Sequence, residues 1–246
     1  MPISIAEISA SIMALIAGLL ILIIGAILYQ KWKEKKQTPT LFLTISIFAW
    51  VGACWSAMGI YTLAEFATEI AIVLQKCVYS FVLLGGMMMF LFGTPTFYHF
   101  KSKIWTYLYV ILGCAFIILV WMMDSVDVRY FPGYDTYPLL SIKIEYSIFL
   151  VLYLVPLLIG IPILALRTSR RINERLYSVG YRFIAYGTLD ILAVFVVDAL
   201  STVAQGMNLI YAILLNLTWI FPLIAAFFCY IGWTLPNWFR SIIKKN

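Results

Sequence analysis

Charge is scarce in this chain, and histidine almost absent. Only 11% of its 246 residues are charged and a single one, His99, is a histidine. Soluble domains carry about 25% charged residues and roughly 45–50% apolar ones. Here the apolar share is 64%, which excludes a soluble globular protein. One histidine cannot build a catalytic zinc site, which needs several histidines or a mixed set with carboxylates. It also leaves a serine nucleophile in an apolar run without its usual base. Cys54, Cys77, Cys114 and Cys229 each lie inside an apolar run with no CxxC pair, so they read as small packing residues rather than metal ligands or a disulfide framework. The last apolar run holds no lysine, which excludes a retinal Schiff base there. Asp190 and Asp198 are eight residues apart, about 12 Å along a helix at 1.5 Å per residue, too far to share a proton as an aspartyl dyad. The expectation is a protein that is not an enzyme and uses no cofactor or metal.

What the chain has is seven long apolar runs, at about 5–29, 41–63, 70–92, 104–123, 146–166, 179–203 and 209–233. A helix needs about 20 apolar residues to cross a bilayer. The sequence therefore predicts an all-α integral membrane protein, a single seven-transmembrane helix bundle over 1–246. The first run has no basic leader and is too long for a signal peptide's apolar core, so it reads as a retained helix. Gly93, Thr94 and Pro95 should end the third run, and Pro156 and Pro162 should bend the fifth. Trp50, Trp55 and Trp219 lie deep in their runs and read as core packing.

The net charge of +6 would suggest nucleic acid in a soluble protein. In this chain the basic residues fall in short connections, where they set orientation instead. Fourteen of the seventeen Lys and Arg residues lie on one side if the N-terminus is outside; Lys76, Arg129 and Lys143 are the rest. The expected topology is N-terminus outside and C-terminus cytoplasmic, in a multi-pass protein of the cell membrane. Membrane lipids are then its partners and nucleic acid is not, and nothing specifies an oligomeric state. The longest outer connection carries Tyr130, Phe131, Tyr134 and Tyr137 and could cap a pocket.

Charges inside the apolar runs are the candidates for a site. A carboxylate at the centre of a membrane helix costs at least ~2.5–3.5 kcal/mol on insertion scales, so it normally faces the bundle interior and finds a partner. On the sixth run Arg182, Tyr186, Asp190, Asp198, Ser201, Thr202 and Gln205 share one broad side at ~100° per residue. On the third, Glu69, Lys76 and Ser80 share a face. Lys76 and Asp198 have similar depth and are expected to approach each other, while Asp190 is the deepest charge. A ligand or ion cavity between the third, sixth and seventh helices would then be lined by Lys76, Ser80, Tyr186, Asp190, Asp198 and Asn216. The competing reading is structural: Lys76 snorkels or locks the bundle, and Asp190 bonds to Tyr186 or Asn216.

Seven runs, short basic loops on one side, the WVGACW stretch at 50–55 and the ending YIGWTLPNWFR together resemble the seven-helix sensor region that precedes some bacterial and archaeal histidine kinases. That resemblance implies detection of a stimulus and relay to a cytoplasmic output. After Trp233 thirteen residues follow, too few for a kinase, PAS or cyclase module, so the implied output is a separate cytoplasmic signalling partner. Two other readings stay open. The kinked fifth helix and Asp190 suit a small transporter or channel subunit, although the Pro-Gln pair of PQ-loop transporters is absent. A structural or assembly factor of a membrane complex is the third.

Overall fold

The computed structural model describes residues 5–98, 104–129, 139–204 and 208–245. Over these residues the chain forms α1 (Ile5–Lys35), α2 (Thr38–Leu63), α3 (Thr68–Gly93), α4 (Ile104–Met122), β1 (Val126–Arg129), β2 (Leu139–Ile142), α5 (Ile144–Arg171), α6 (Arg175–Val203), α7 (Asn208–Thr234) and α8 (Asn237–Lys245). Seven of the helices are long and apolar enough to cross a membrane, as expected of a multi-pass membrane protein.

The helices run further than the apolar stretches that announce them. α1 continues six residues past Tyr29 to Lys35, and α5 five past Leu166 to Arg171. Hydropathy marks where hydrocarbon would end, whereas Lys, Glu and Arg are good helix formers and carry the backbone onward. At Gly93 the chain does not break: Thr94–Tyr98 makes a π-helical turn around Pro95, whose missing N–H suits an irregular turn. Pro156 and Pro162 both stay inside the uninterrupted α5.

Packing follows a ring, with α1 on α2, α2 on α3, α5 on α6, α6 on α7, and α7 closing on α1. Between helices in hydrocarbon there is no hydrophobic drive, so association rests on close van der Waals contact and small residues. Ala10, Ala14, Ala17, Ile21 and Leu28 recur at helical spacing on one buried face of α1. The α6–α7 seam is closer still. A Cβ on Gly187 would lie 2.8 Å from the Ala225 carbonyl and the Cys229 Sγ, and one on Gly232 would lie 2.6 Å from the Gly180 carbonyl. Only glycine permits those approaches. α4 packs mainly on α3, and its Tyr109 stacks on Tyr153 of α5 at 4.3 Å, each hydroxyl donating to the other's backbone carbonyl. Ile104, Trp105, Ile111, Leu112 and Ile118 leave the rest of α4 apolar and exposed, as for a helix whose outer surface meets lipid.

The α4–α5 connection holds an antiparallel hairpin, with Val126 opposite Ile142 and Arg129 opposite Leu139. Buried Ser125 anchors it, donating to the Val120 carbonyl at 2.8 Å and accepting the Lys143 N–H on its own carbonyl at 2.9 Å. The expected aromatic cap from Tyr130 to Tyr137 lies outside the described residues. α8 was not anticipated. It begins after Pro236, whose carbonyl accepts from the N–H groups of Phe239 and Arg240. Phe239 packs with Ile231 and Leu235, while Trp238 and Ile242 stay exposed.

Candidate ligand cavity

The ring of helices leaves a cavity of about 170 Å³ at the hairpin end of the bundle. That is an order of magnitude above the ~10–15 Å³ one water needs, so a small organic molecule fits. Every helix but α4 and α8 contributes to the wall, together with Leu140 and Ser141 of β2. Among the described residues, the charged ones in the lining are Glu7 and Asp198, both carboxylates. Glu7 is 5% exposed, one turn into α1, and hydrogen-bonds the Tyr211 hydroxyl of α7. Asp198 faces the cavity near the end of α6, where its charge acts on the Tyr79 hydroxyl and its backbone carbonyl accepts from Ser201 at 2.7 Å. Asp198 is exposed and lines the cavity.

Aromatic rings contribute much of the bulk of the remaining wall, among smaller aliphatic residues such as Ala53, Ala57, Val78 and Val82. Trp50, Tyr61, Tyr79, Phe195, Tyr211 and Trp219 line it, with Tyr61 and Trp219 edge to face at 6.2 Å between centroids. Gln75 donates to the Tyr79 hydroxyl at 3.3 Å, which holds that phenol against the wall. Trp219 is 8% exposed, and its indole N–H is buried with no hydrogen-bond partner among the described residues. Below the cavity, a void of about 10 Å³ between Trp50, Gly85, Gly86 and Phe195 reaches towards the middle of the bundle.

Of the six residues expected to line one cavity, Asp198 alone does so; the other five are dispersed, each for a local reason. Lys76 points along the α3–α4 seam, donating to the Met123 carbonyl at 3.1 Å and the Trp121 carbonyl at 3.5 Å. The last carbonyls of a helix have no intrahelical donor and attract a cation, so α4 takes the ammonium that was expected at Asp198. Ser80 is beside it, donating to the Lys76 carbonyl and accepting the Trp121 indole N–H, both at 2.8 Å. Tyr186 is 49% exposed on the outside of α6. Asn216 turns to α1, donating to Ser9 Oγ at 2.9 Å, and to the Ala212 carbonyl. Asp190, expected at the heart of the site, lies outside it. Eight residues at ~100° set it about 80° around α6 from Asp198, against α7, close enough for its charge to act on the Cys229 thiol. One carboxylate oxygen there is buried without a hydrogen-bond partner among the described residues.

No family model, curated protein or solved structure matches the chain. The site is therefore read from its own geometry.

Sequence reasoning missed Glu7, Gln75, Tyr79 and Tyr211. Glu7 was hidden by its place at the edge of the first apolar run, although a lone carboxylate four residues before Ser11 on the buried alanine face is a signal that could have found it. At the opposite end of the bundle an open recess of about 1000 Å³ is lined by Lys36, Arg167 and Arg171 among others, and a second of about 220 Å³ by Lys31 and Lys35. Both are bordered by Gln37, Tyr181 and Trp233. Aromatic contacts shut this end from the interior: Phe92 meets Trp233 at 4.9 Å and Phe97 at 6.1 Å, and Phe97 meets Tyr181 at 5.7 Å. The Trp233 indole N–H donates to Thr40 Oγ1 at 3.0 Å, locking α7 to α2.

Proposed function

We propose that the chain is a receptor-like module of the cell membrane that binds a small ligand at its outer end and signals through a separate cytoplasmic partner. The observation that carries this reading is the cavity at the hairpin end, walled by side chains from six helices and β2. A molecule there touches α1, α2, α3, α5, α6 and α7 at once, so its binding would bias how they pack. The topology assigned from the basic residues puts this cavity outside and the arginine-lined recess inside. α6 and α7 run from one to the other along the glycine seam, so they are the elements through which occupancy would reach the cytoplasmic face. The resemblance to histidine-kinase sensor regions agrees with this reading.

The test is a thermal-shift screen of the purified chain in lipid nanodiscs against small cations, anions and neutral compounds. A compound that raises the unfolding temperature of the wild type, and not of Ala57→Phe, which fills the cavity, supports binding there. If no compound separates the two proteins, the reading fails. A transporter is the second reading, favoured by the recesses at both ends with an aromatic closure between them. It requires substrate flux into liposomes carrying the chain.

A further inference from the structure

We propose that the ligand of the outer cavity is a small organic cation bearing an oxygen, an amino alcohol or its quaternary form; this rests on the binding role proposed above. Three features of the wall carry it, and they come from different helices. The first is charge: among the described residues, the charged ones in the lining, Glu7 on α1 and Asp198 on α6, are both negative. The hydrogen bond from Tyr211 gives Glu7 a neutral neighbour, which leaves the sign of that side of the cavity unchanged.

The second feature is the ring lining. Trp50, Tyr61, Tyr79, Tyr211 and Trp219 surround the same space with rings whose faces are electron-rich. Ammonium groups, quaternary ones above all, are held by such aromatic walls through cation–π attraction, which strengthens where water is excluded. An anion would meet two carboxylates, so it is disfavoured. A neutral hydrocarbon would set apolar atoms against two carboxylates and take away their water, and desolvating a charge without a compensating one is costly.

The third is Trp219, whose buried indole N–H has no acceptor among the described residues. A ligand oxygen supplies one once a small rotation of the indole turns this N–H from the packed side towards the cavity that Trp219 lines. The cavity thus offers carboxylates for the cation and an indole donor for the oxygen. Its volume, about 170 Å³, suits a ligand of a few heavy atoms rather than a sugar or a peptide.

Titration calorimetry on the full chain in nanodiscs tests this with choline and ethanolamine as ligands, and with tetramethylammonium, acetate and the uncharged carbon isostere of choline as comparisons. Choline and ethanolamine should bind. The isostere should bind at least tenfold more weakly, and acetate not at all. Glu7→Gln or Asp198→Asn should weaken choline tenfold or more while circular dichroism stays unchanged. Trp219→Phe should weaken choline severalfold and leave tetramethylammonium, which has no oxygen, unaffected. Equal or tighter binding of the isostere or of acetate overturns the cationic class, yet leaves a ligand-binding cavity standing if Ala57→Phe abolishes it. Absence of binding by all the amines overturns the class as well. The binding role itself falls only if the broader screen also finds no compound sensitive to Ala57→Phe.

Discussion

Gly187→Ala is the change that most directly probes how α6 is held against α7. The added Cβ would lie 2.8 Å from the Ala225 carbonyl oxygen and from the Cys229 Sγ, and 3.1 Å from the Cys229 backbone nitrogen. Two of these three atoms are backbone and cannot rotate away. Going from 2.8 Å to an ordinary contact of 3.4 Å requires the helices to part by about 0.6 Å. Overpacking of this kind costs ~1–3 kcal/mol, against an intrinsic gain of roughly 0.5–1 kcal/mol for alanine over glycine in a helix. The net loss is then up to about 2.5 kcal/mol. Gly59→Ala is the control, because its new Cβ meets only the Leu74 side chain, nearest at Cδ1, 2.7 Å away, the free end of a flexible side chain. That protein should match the wild type or exceed it slightly. Reversible unfolding in mixed micelles, followed by circular dichroism, measures both. Equal stability of Gly187→Ala and Gly59→Ala would refute the claim that backbone contact sets the α6–α7 distance.

Orientation is checked by single cysteines at Gln37 and Asp135 in a cysteine-free background: an impermeant thiol reagent added to intact cells should label position 135 alone, and the reverse pattern would invert the assigned sides. Lys76→Met should cost ~0.3–1 kcal/mol through loss of the α4 carbonyl contacts, and a double-mutant cycle with Asp198 should be additive within ~0.5 kcal/mol; larger coupling would mean that the two residues meet. Ser9 and Asn216 should instead couple by roughly 0.6 kcal/mol, the typical value for a hydrogen bond between membrane helices, and no coupling would remove that contact as a tie between α1 and α7. Asp124 and Lys143 pair at 2.6 Å at the base of the hairpin, and the hydrogen bond and charge of Lys143 hold the Asp124 carboxyl below its ordinary value. A depressed carboxyl stabilises above its unfolded value, about 3.9, and that contribution is lost as pH falls through the folded one. Protection of the β1 and β2 amides against exchange, relative to their intrinsic rates, should therefore fall below about pH 4 in the wild type, while Asp124→Asn shows the lower protection already at neutral pH; a wild-type profile in Asp124→Asn would sink the pairing argument.

Seven spans were legible because apolar length is a property of the sequence alone. α8 was not, since PNWFRSIIKK is too short and too polar to register as a span, and its helix depends on Pro236 offering its carbonyl and on Phe239 finding Ile231 and Leu235. The hairpin was equally hidden. Four residues per strand carry little periodic signal, and β1 and β2 are joined in register by backbone bonds and anchored by Ser125, whose role shows only in space.

The candidate site divides along the same line. Asp198 could be found because a charge in an apolar helix stands out whatever its surroundings. Its companions could not be deduced from depth, because depth does not say which neighbour a side chain faces. Lys76 has the depth expected of a partner for Asp198, yet the free carbonyls at the end of α4 claim it. Asp190 and Asp198 share a helix, but 80° of rotation gives one to the α7 seam and the other to the cavity. Glu7 entered from the opposite direction: the small face of Ala10, Ala14 and Ala17 draws α1 into the ring, and the carboxylate one turn earlier is carried in with it. A chain with alanines on that face and a glutamate at its mouth thus encodes a charged cavity without any motif that spells one. The signal lies in which small residues bring the helix close, and only then in what the next turn carries.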